Sequence, residues 1–164
     1  MLKKIPVRLV NSLSCLAVII LLALASYLQR VKGLEPCPLC MVQRLVFIGM
    51  AILFFIGIFL PTRSCVVKVH YSFILLLVLL GLAAVFRQLW LIHFSAVAVP
   101  SCGADFYYMV QHLPWGQVLS EIVQGQGDCA RDVWKVAGVG LPEWSAVAFL
   151  FFLVVGVWQL FRKV

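Results

Sequence analysis

An all-α membrane protein is the predicted fold class: a bundle of four transmembrane helices, with a short interfacial helix in its second outer loop. Three observations predict it. Of 164 residues, 64% are hydrophobic and only 12% charged, with a mean hydropathy of +1.08. Soluble domains run at roughly half apolar and a quarter charged, and one of this length could not bury so much apolar surface. Second, the charges leave four long gaps: residues 9–29 hold 21 uncharged positions, and 45–62, 69–86 and 144–161 hold 18 each. At about 1.5 Å of rise per residue, roughly 20 apolar residues cross a hydrocarbon core of about 30 Å. Third, no strand-like alternation accompanies these runs, and in lipid only helices and closed barrels satisfy their own backbone polar groups.

The elements follow in order within one membrane domain, 1–164. The first helix is expected near 9–29. Lys3, Lys4 and Arg8 before a leucine-rich core ending in Ala23-Leu24-Ala25 also resemble a cleavable signal peptide. The uncharged stretch is long enough to span, and it is read as a retained helix. The second, third and fourth helices are expected near 41–62, 69–92 and 144–161, leaving outer loops at 30–40 and 93–143.

Lysine and arginine in short loops set orientation. They are densest in the N-terminal segment (Lys3, Lys4, Arg8), the turn between helices two and three (Arg63, Lys68) and the C-terminus (Arg162, Lys163), none of which contains an acid. All six acids fall in the other two loops. Both termini are therefore expected on the cytoplasmic side, with loops 30–40 and 93–143 outside. The net charge of +7 is an orientation signal, and nucleic acid is not an expected partner.

The second outer loop is long for a chain of otherwise tight connections, which points to function. Trp115, Val118, Leu119, Ile122 and Val123 recur there at i, i+3, i+4, i+7 and i+8, with Gln117, Ser120, Glu121 and Gln124 opposite. That spacing makes an amphipathic helix suited to the membrane interface, or to packing on its own protein. Gly125-Gln126-Gly127 ends it and supplies a hinge before Cys129.

Cysteines stand at 15, 37, 40, 65, 102 and 129. Cys15 lies within the first helix and Cys65 in a cytoplasmic turn, and both are read as bystanders. The other four share the outer side, where an oxidising compartment favours disulfides. Four cysteines allow three connectivities; spacing favours Cys37 with Cys40, and hence Cys102 with Cys129.

Glu35-Pro36-Cys37-Pro38-Leu39-Cys40 is the sharpest feature. Two residues between cysteines close a small ring that opens readily. Pro38 suits the first position of a helix, which places Cys37 near the N-terminal amides and dipole that favour a thiolate. Arg44 follows Cys40 by one turn on the same face and is the last charge before the bilayer. It can stabilise a thiolate or an anionic reduced cofactor, or anchor the helix by snorkelling. A CxxC also serves zinc sites and metal transporters. Here the second pair is far apart, and His70, His93 and His112 lack ligand spacing, so no metal is expected.

Pro36-Cys37-x-x-Cys40 with Arg44, Cys102 and Cys129 in the long loop, Gly127-Asp128-Cys129-Ala130 and Leu141-Pro142-Glu143-Trp144 together resemble the family of disulfide bond formation protein B, DsbB, bacterial inner-membrane proteins. The resemblance covers nearly the whole chain. It implies a protein-dithiol:quinone oxidoreductase serving oxidative protein folding. Cys102 and Cys129 would oxidise a periplasmic thiol oxidase of the DsbA type. Cys37 and Cys40 would receive the electrons and pass them to a membrane quinone, ubiquinone or menaquinone, beside Cys40 and Arg44. The stretch before Cys102 matches the family only loosely, which leaves His93 a weak candidate for a quinone-site role. DsbA itself is a strong oxidant, with an established potential of about −120 mV. A glutathione pool near about −200 mV would leave its reoxidation uphill by ~80 mV, or ~3.7 kcal/mol, which a stronger lipid-soluble oxidant removes. A vitamin K epoxide reductase-like enzyme is the alternative within quinone chemistry, although that family places its CxxC at the end of a late helix. A metal-binding transporter or a structural membrane protein is the alternative from another class.

Overall fold

The computed structural model describes residues 6–32, 38–94, 110–124, 135–136 and 138–162. Helix α1 runs Val7–Lys32, α2 Pro38–Phe59, α3 Ser64–Phe94, α4 Trp115–Gln124 and α5 Leu141–Phe161, with a two-stranded pairing of β1, Lys135–Val136, and β2, Val139–Gly140, just before α5. Helices α1, α2, α3 and α5 are each long and apolar enough to cross a membrane.

These four helices start or stop a few residues away from the charge-delimited windows, for local reasons. The Pro6 carbonyl accepts from the Leu9 and Val10 amides and starts α1 at residue 7. Pro38 begins α2 three residues before the expected 41, because a proline needs no amide partner in a first turn. The same helix ends at Phe59 rather than 62, since a residue before proline avoids the helical region and Pro61 follows closely. Helix α3, with 31 residues, is about 46 Å long and exceeds the hydrocarbon core. It therefore takes in Lys68 and Arg87, which had served as boundaries. Gly140 in extended conformation caps α5, with Pro142 and Glu143 in its first turn, where an acid suits the dipole. The pairing Val136↔Val139 turns through Gly138 at φ +83°, a left-handed conformation that glycine adopts without strain.

Helix α1 packs on α2, α2 on α3, and α3 on α5. Val18, Met50, Phe54, Tyr71, Ile74, Val78, Phe149 and Phe152 fill the shared core, while Leu13, Leu16, Phe55, Phe73, Leu80 and Phe151 point outward uncovered. Such a coat is the ordinary lipid-facing surface of a spanning bundle. The Phe149 ring stacks on Phe47 at 4.3 Å and 10°. The same ring lies against Gly81, where a Cβ would stand 2.3 Å from it. Small residues at such points let helices approach closely when no hydrophobic effect drives them together.

The two ends of the bundle are tied differently. At the end holding the α2–α3 turn, Asn11 donates to the Gly57 carbonyl at 2.8 Å and accepts from the Tyr71 hydroxyl at 2.6 Å, joining α1, α2 and α3. All three side-chain and backbone groups are buried, and Gln159 of α5 lies beside the same hydroxyl. Between the ends, the Cys15 thiol donates to the Ala51 carbonyl at 3.6 Å, a packing role for a buried thiol. Cys65 is exposed in the first turn of α3.

Candidate redox site at the head of helix α2

Proline at position 38 starts α2, so Cys40 sits in its first turn at the end of the bundle opposite the Asn11 clasp. Leu39 and Leu91 are buried against each other, and half-buried Cys40 packs on them. The start of α2 is thereby wedged against the last turn of α3. One turn earlier on α3, the Gln88 side-chain N–H donates to Cys40 Sγ at 3.2 Å. Gln88 Oε1 in turn accepts from Gln43 Nε2 at 2.7 Å, and both amides are buried, at 2% and 4% exposure. Two helices are joined here through a carboxamide pair that ends on a sulfur.

Arg44, one turn deeper than Cys40, is half-buried. Its guanidinium donates to Gln29 Oε1 and, at 3.4 Å, to the Ala25 carbonyl, both on α1. Cys40 is thus held from α3 and Arg44 from α1. The helix face predicted to carry both lies where α2 meets these two neighbours. A fixed cation stands one turn below a sulfur that a buried donor addresses, which suits an anionic sulfur or an anionic acceptor held nearby.

Cys37, Cys102 and Cys129 lie outside the described residues, as does the hinge at 125–127. The structure therefore brings Cys40 and Arg44 into one neighbourhood and describes no geometry for the other three. His93 is exposed, its Nδ1 lying 3.0 Å from the Leu89 carbonyl of its own helix. Helix α4 splits its apolar stripe. Val118 is buried, while Trp115 at 75% and Leu119 at 63% exposure remain uncovered. The Pro114 carbonyl accepts from the Gln117 and Val118 amides and sets the first turn. One residue of the stripe packs on protein, and its neighbours keep a surface suited to the membrane interface.

Gln43, Gln88 and Gln29 were invisible to a reading built on charges and cysteines. A signal was present, because polar residues within spanning helices are uncommon and generally face the bundle interior.

A family model described as disulfide bond formation protein DsbB matches residues 7–159. Curated relatives agree. Disulfide bond formation protein B of Acinetobacter baumannii is 39% identical over 97% of this chain and 94% of its own length. That of Marinobacter nauticus is 39% identical over 87% of this chain and 85% of its own. Disulfide bond formation protein B 1 of Pseudomonas aeruginosa is 34% identical, with coverages of 92% and 93%. No solved structure matches.

Proposed function

The chain belongs to the DsbB family of disulfide bond formation proteins and is a multi-pass inner-membrane, disulfide-generating oxidoreductase, and from that premise we propose that it reoxidises a periplasmic DsbA-type thiol oxidase and delivers the electrons to a membrane quinone. The observation that carries the reading is Cys40 itself: a sulfur in the first turn of a spanning helix, addressed by a buried N–H donor, with a guanidinium one turn deeper.

The steps are thiol–disulfide exchanges, each a thiolate attack through a mixed disulfide. A partner thiolate attacks Cys102, and Cys129 leaves; the second partner thiolate resolves the complex, so the partner is oxidised and Cys102 and Cys129 are reduced. One of these thiolates then attacks Cys37, the Cys37–Cys40 bond breaks, and its electron pair goes to Cys40 Sγ. The loop pair closes again and leaves Cys37 and Cys40 as a dithiol. A quinone held beside Cys40 and Arg44 would supply a two-electron, two-proton acceptor for that dithiol, and its reduction would restore the CxxC disulfide. Arg44 supplies positive charge at the depth where the acceptor's reduced form gathers negative charge. Its two bonds to α1 hold it there. The half-buried position of Cys40 at the rim fits a lipid-borne acceptor better than a bulky soluble one. The basic-residue pattern supports cytoplasmic termini and outward cysteines.

The test is an absorption spectrum of the purified protein, together with quinone consumption when reduced partner is added. The reading expects bound quinone and one quinone reduced per partner disulfide formed. Partner oxidation that proceeds without quinone consumption would overturn it.

A further inference from the structure

At the head of α2, two buried carboxamides end on the Cys40 sulfur. Gln88 is 2% exposed, Gln43 is 4% exposed, and the chain of bonds runs Gln43 Nε2 to Gln88 Oε1 at 2.7 Å and Gln88 Nε2 to Cys40 Sγ at 3.2 Å. Such a chain has two senses. In one, Gln88 turns its N–H toward the sulfur, and the sulfur accepts. In the other, both amides flip, Gln88 presents its carbonyl oxygen, and only a protonated thiol can satisfy it. An anionic sulfur is compatible with the first sense alone. The structure has that sense. Gln43 holds it, because its own N–H occupies the Gln88 oxygen and leaves the Gln88 N–H for the sulfur.

We propose that Gln88 is a catalytic residue of the electron transfer through Cys40, its side-chain N–H stabilising the sulfur as the Cys37–Cys40 disulfide opens, and that Gln43 is the positioning residue that fixes the Gln88 amide. This rests on the reading of Cys37 and Cys40 as the electron-passing pair. When that disulfide is attacked at Cys37, the sulfur–sulfur bond breaks and the electron pair departs with Cys40 Sγ. A leaving thiolate that is better stabilised leaves faster. Hydrogen bonds to charged groups are the stronger kind, and burial makes an unanswered donor or sulfur costly. Arg44 is engaged by α1, so the bond to the sulfur from α3 is a separate contribution. The same thiolate is the group that next gives up electrons to the acceptor, so one amide serves both halves of the turnover.

The experiment uses the full chain carrying Cys37→Ser, reduced, with peptide-resolved alkylation of Cys40 by iodoacetamide across a pH series. Gln88→Met, which keeps length and removes the donor, is expected to slow Cys40 alkylation about tenfold at neutral pH. The deficit is expected to close at strongly alkaline pH, where the sulfur is anionic in every variant. Gln88→Leu repeats the comparison should the methionine variant fail to assemble. Gln43→Met is expected to give a smaller loss of about threefold with the same pH dependence. An unchanged neutral rate in Gln88→Met, or a loss equal at every pH, would show that the amides merely join helices and would overturn the proposal. An unchanged Gln43→Met rate would overturn the positioning role. Quinone reduction by the reduced, otherwise unmodified chain is measured alongside. Its absence would sink the electron-transfer reading without altering the alkylation result, so the two failures are distinguishable.

Discussion

Arg44 makes plain what a single side chain must do at the edge of a membrane. Its guanidinium reaches two acceptors on α1 from two different nitrogens, Gln29 Oε1 and the Ala25 carbonyl, a fixed spread that the single nitrogen of an ammonium lacks. Replacing Arg44 with glutamine is expected to raise the apparent KM for quinone by tenfold or more, while partner oxidation at saturating quinone changes less. Lysine is expected to rescue only part of the loss. Steady-state kinetics with quinone and partner varied separately make the check, and an unchanged quinone KM with slowed partner oxidation would defeat the assignment. Cys40 and Arg44 were legible in the sequence because sulfur and charge are rare there and spacing puts them one turn apart. Gln43 and Gln88 were not. An amide carries no charge to interrupt a span, so windows drawn between charges pass over it, and its value depends on a partner forty-five residues away that only packing reveals.

At the scale of elements, the helices were legible as apolar runs, yet their ends belonged to local chemistry. Charges bounded the uncharged third window at 69 and 86, and the expected helix began only at 69. In the protein, Ser64–Phe94 continues through Lys68 and Arg87, whose long stems let the charge leave the apolar zone. The pairing of β1 with β2 was not anticipated, since two residues per strand leave no periodicity to read. Contacts between helices are likewise hidden in sequence, and Gly81 is the clearest case. The Phe149 ring occupies the space its side chain would fill and also stacks on Phe47. Gly81→Ala is therefore expected to destabilise the α3–α5 seam by about 1–3 kcal/mol, the range for overpacking a filled core. Thermal unfolding in detergent reads this out; an unshifted midpoint would mean the ring steps aside at no cost.

For the whole molecule, fold class and helix order could be read from composition and charge gaps, because the bilayer imposes both. The placement of the loop pair could be expected only from the basic-residue asymmetry and the family's pattern. Two measurements address that level. In intact cells, a membrane-impermeant thiol reagent added outside is expected to reach reduced cysteines at 37, 40, 102 and 129 but not the exposed Cys65. Labelling of Cys65 would reverse the orientation. A chain with Cys102 and Cys129 both replaced by serine is expected to keep Cys37 and Cys40 oxidised by quinone while losing partner oxidation by a hundredfold or more, as when a nucleophile is removed. Partner turnover at the normal rate in that variant would leave a single CxxC acting directly.

The Asn11 clasp has a consequence for mechanics. Asn11 binds a backbone carbonyl and a hydroxyl, neither of which changes during turnover, so that end of the bundle behaves as the fixed end of a cantilever. At the far end, α2 and α3 meet through the Cys40 sulfur, whose bonding changes twice per cycle in the proposed relay. Any compliance that the cycle demands is concentrated in the free end, where the first turn of α2 meets the end of α3 through the Cys40–Gln88 contact. Amide hydrogen exchange is expected to differ between the oxidised and reduced protein over residues 38–44 and 88–94, with residues 54–60 and 67–74 unaltered. Redox-dependent exchange around Asn11 and Tyr71 would instead make the whole bundle a single spring.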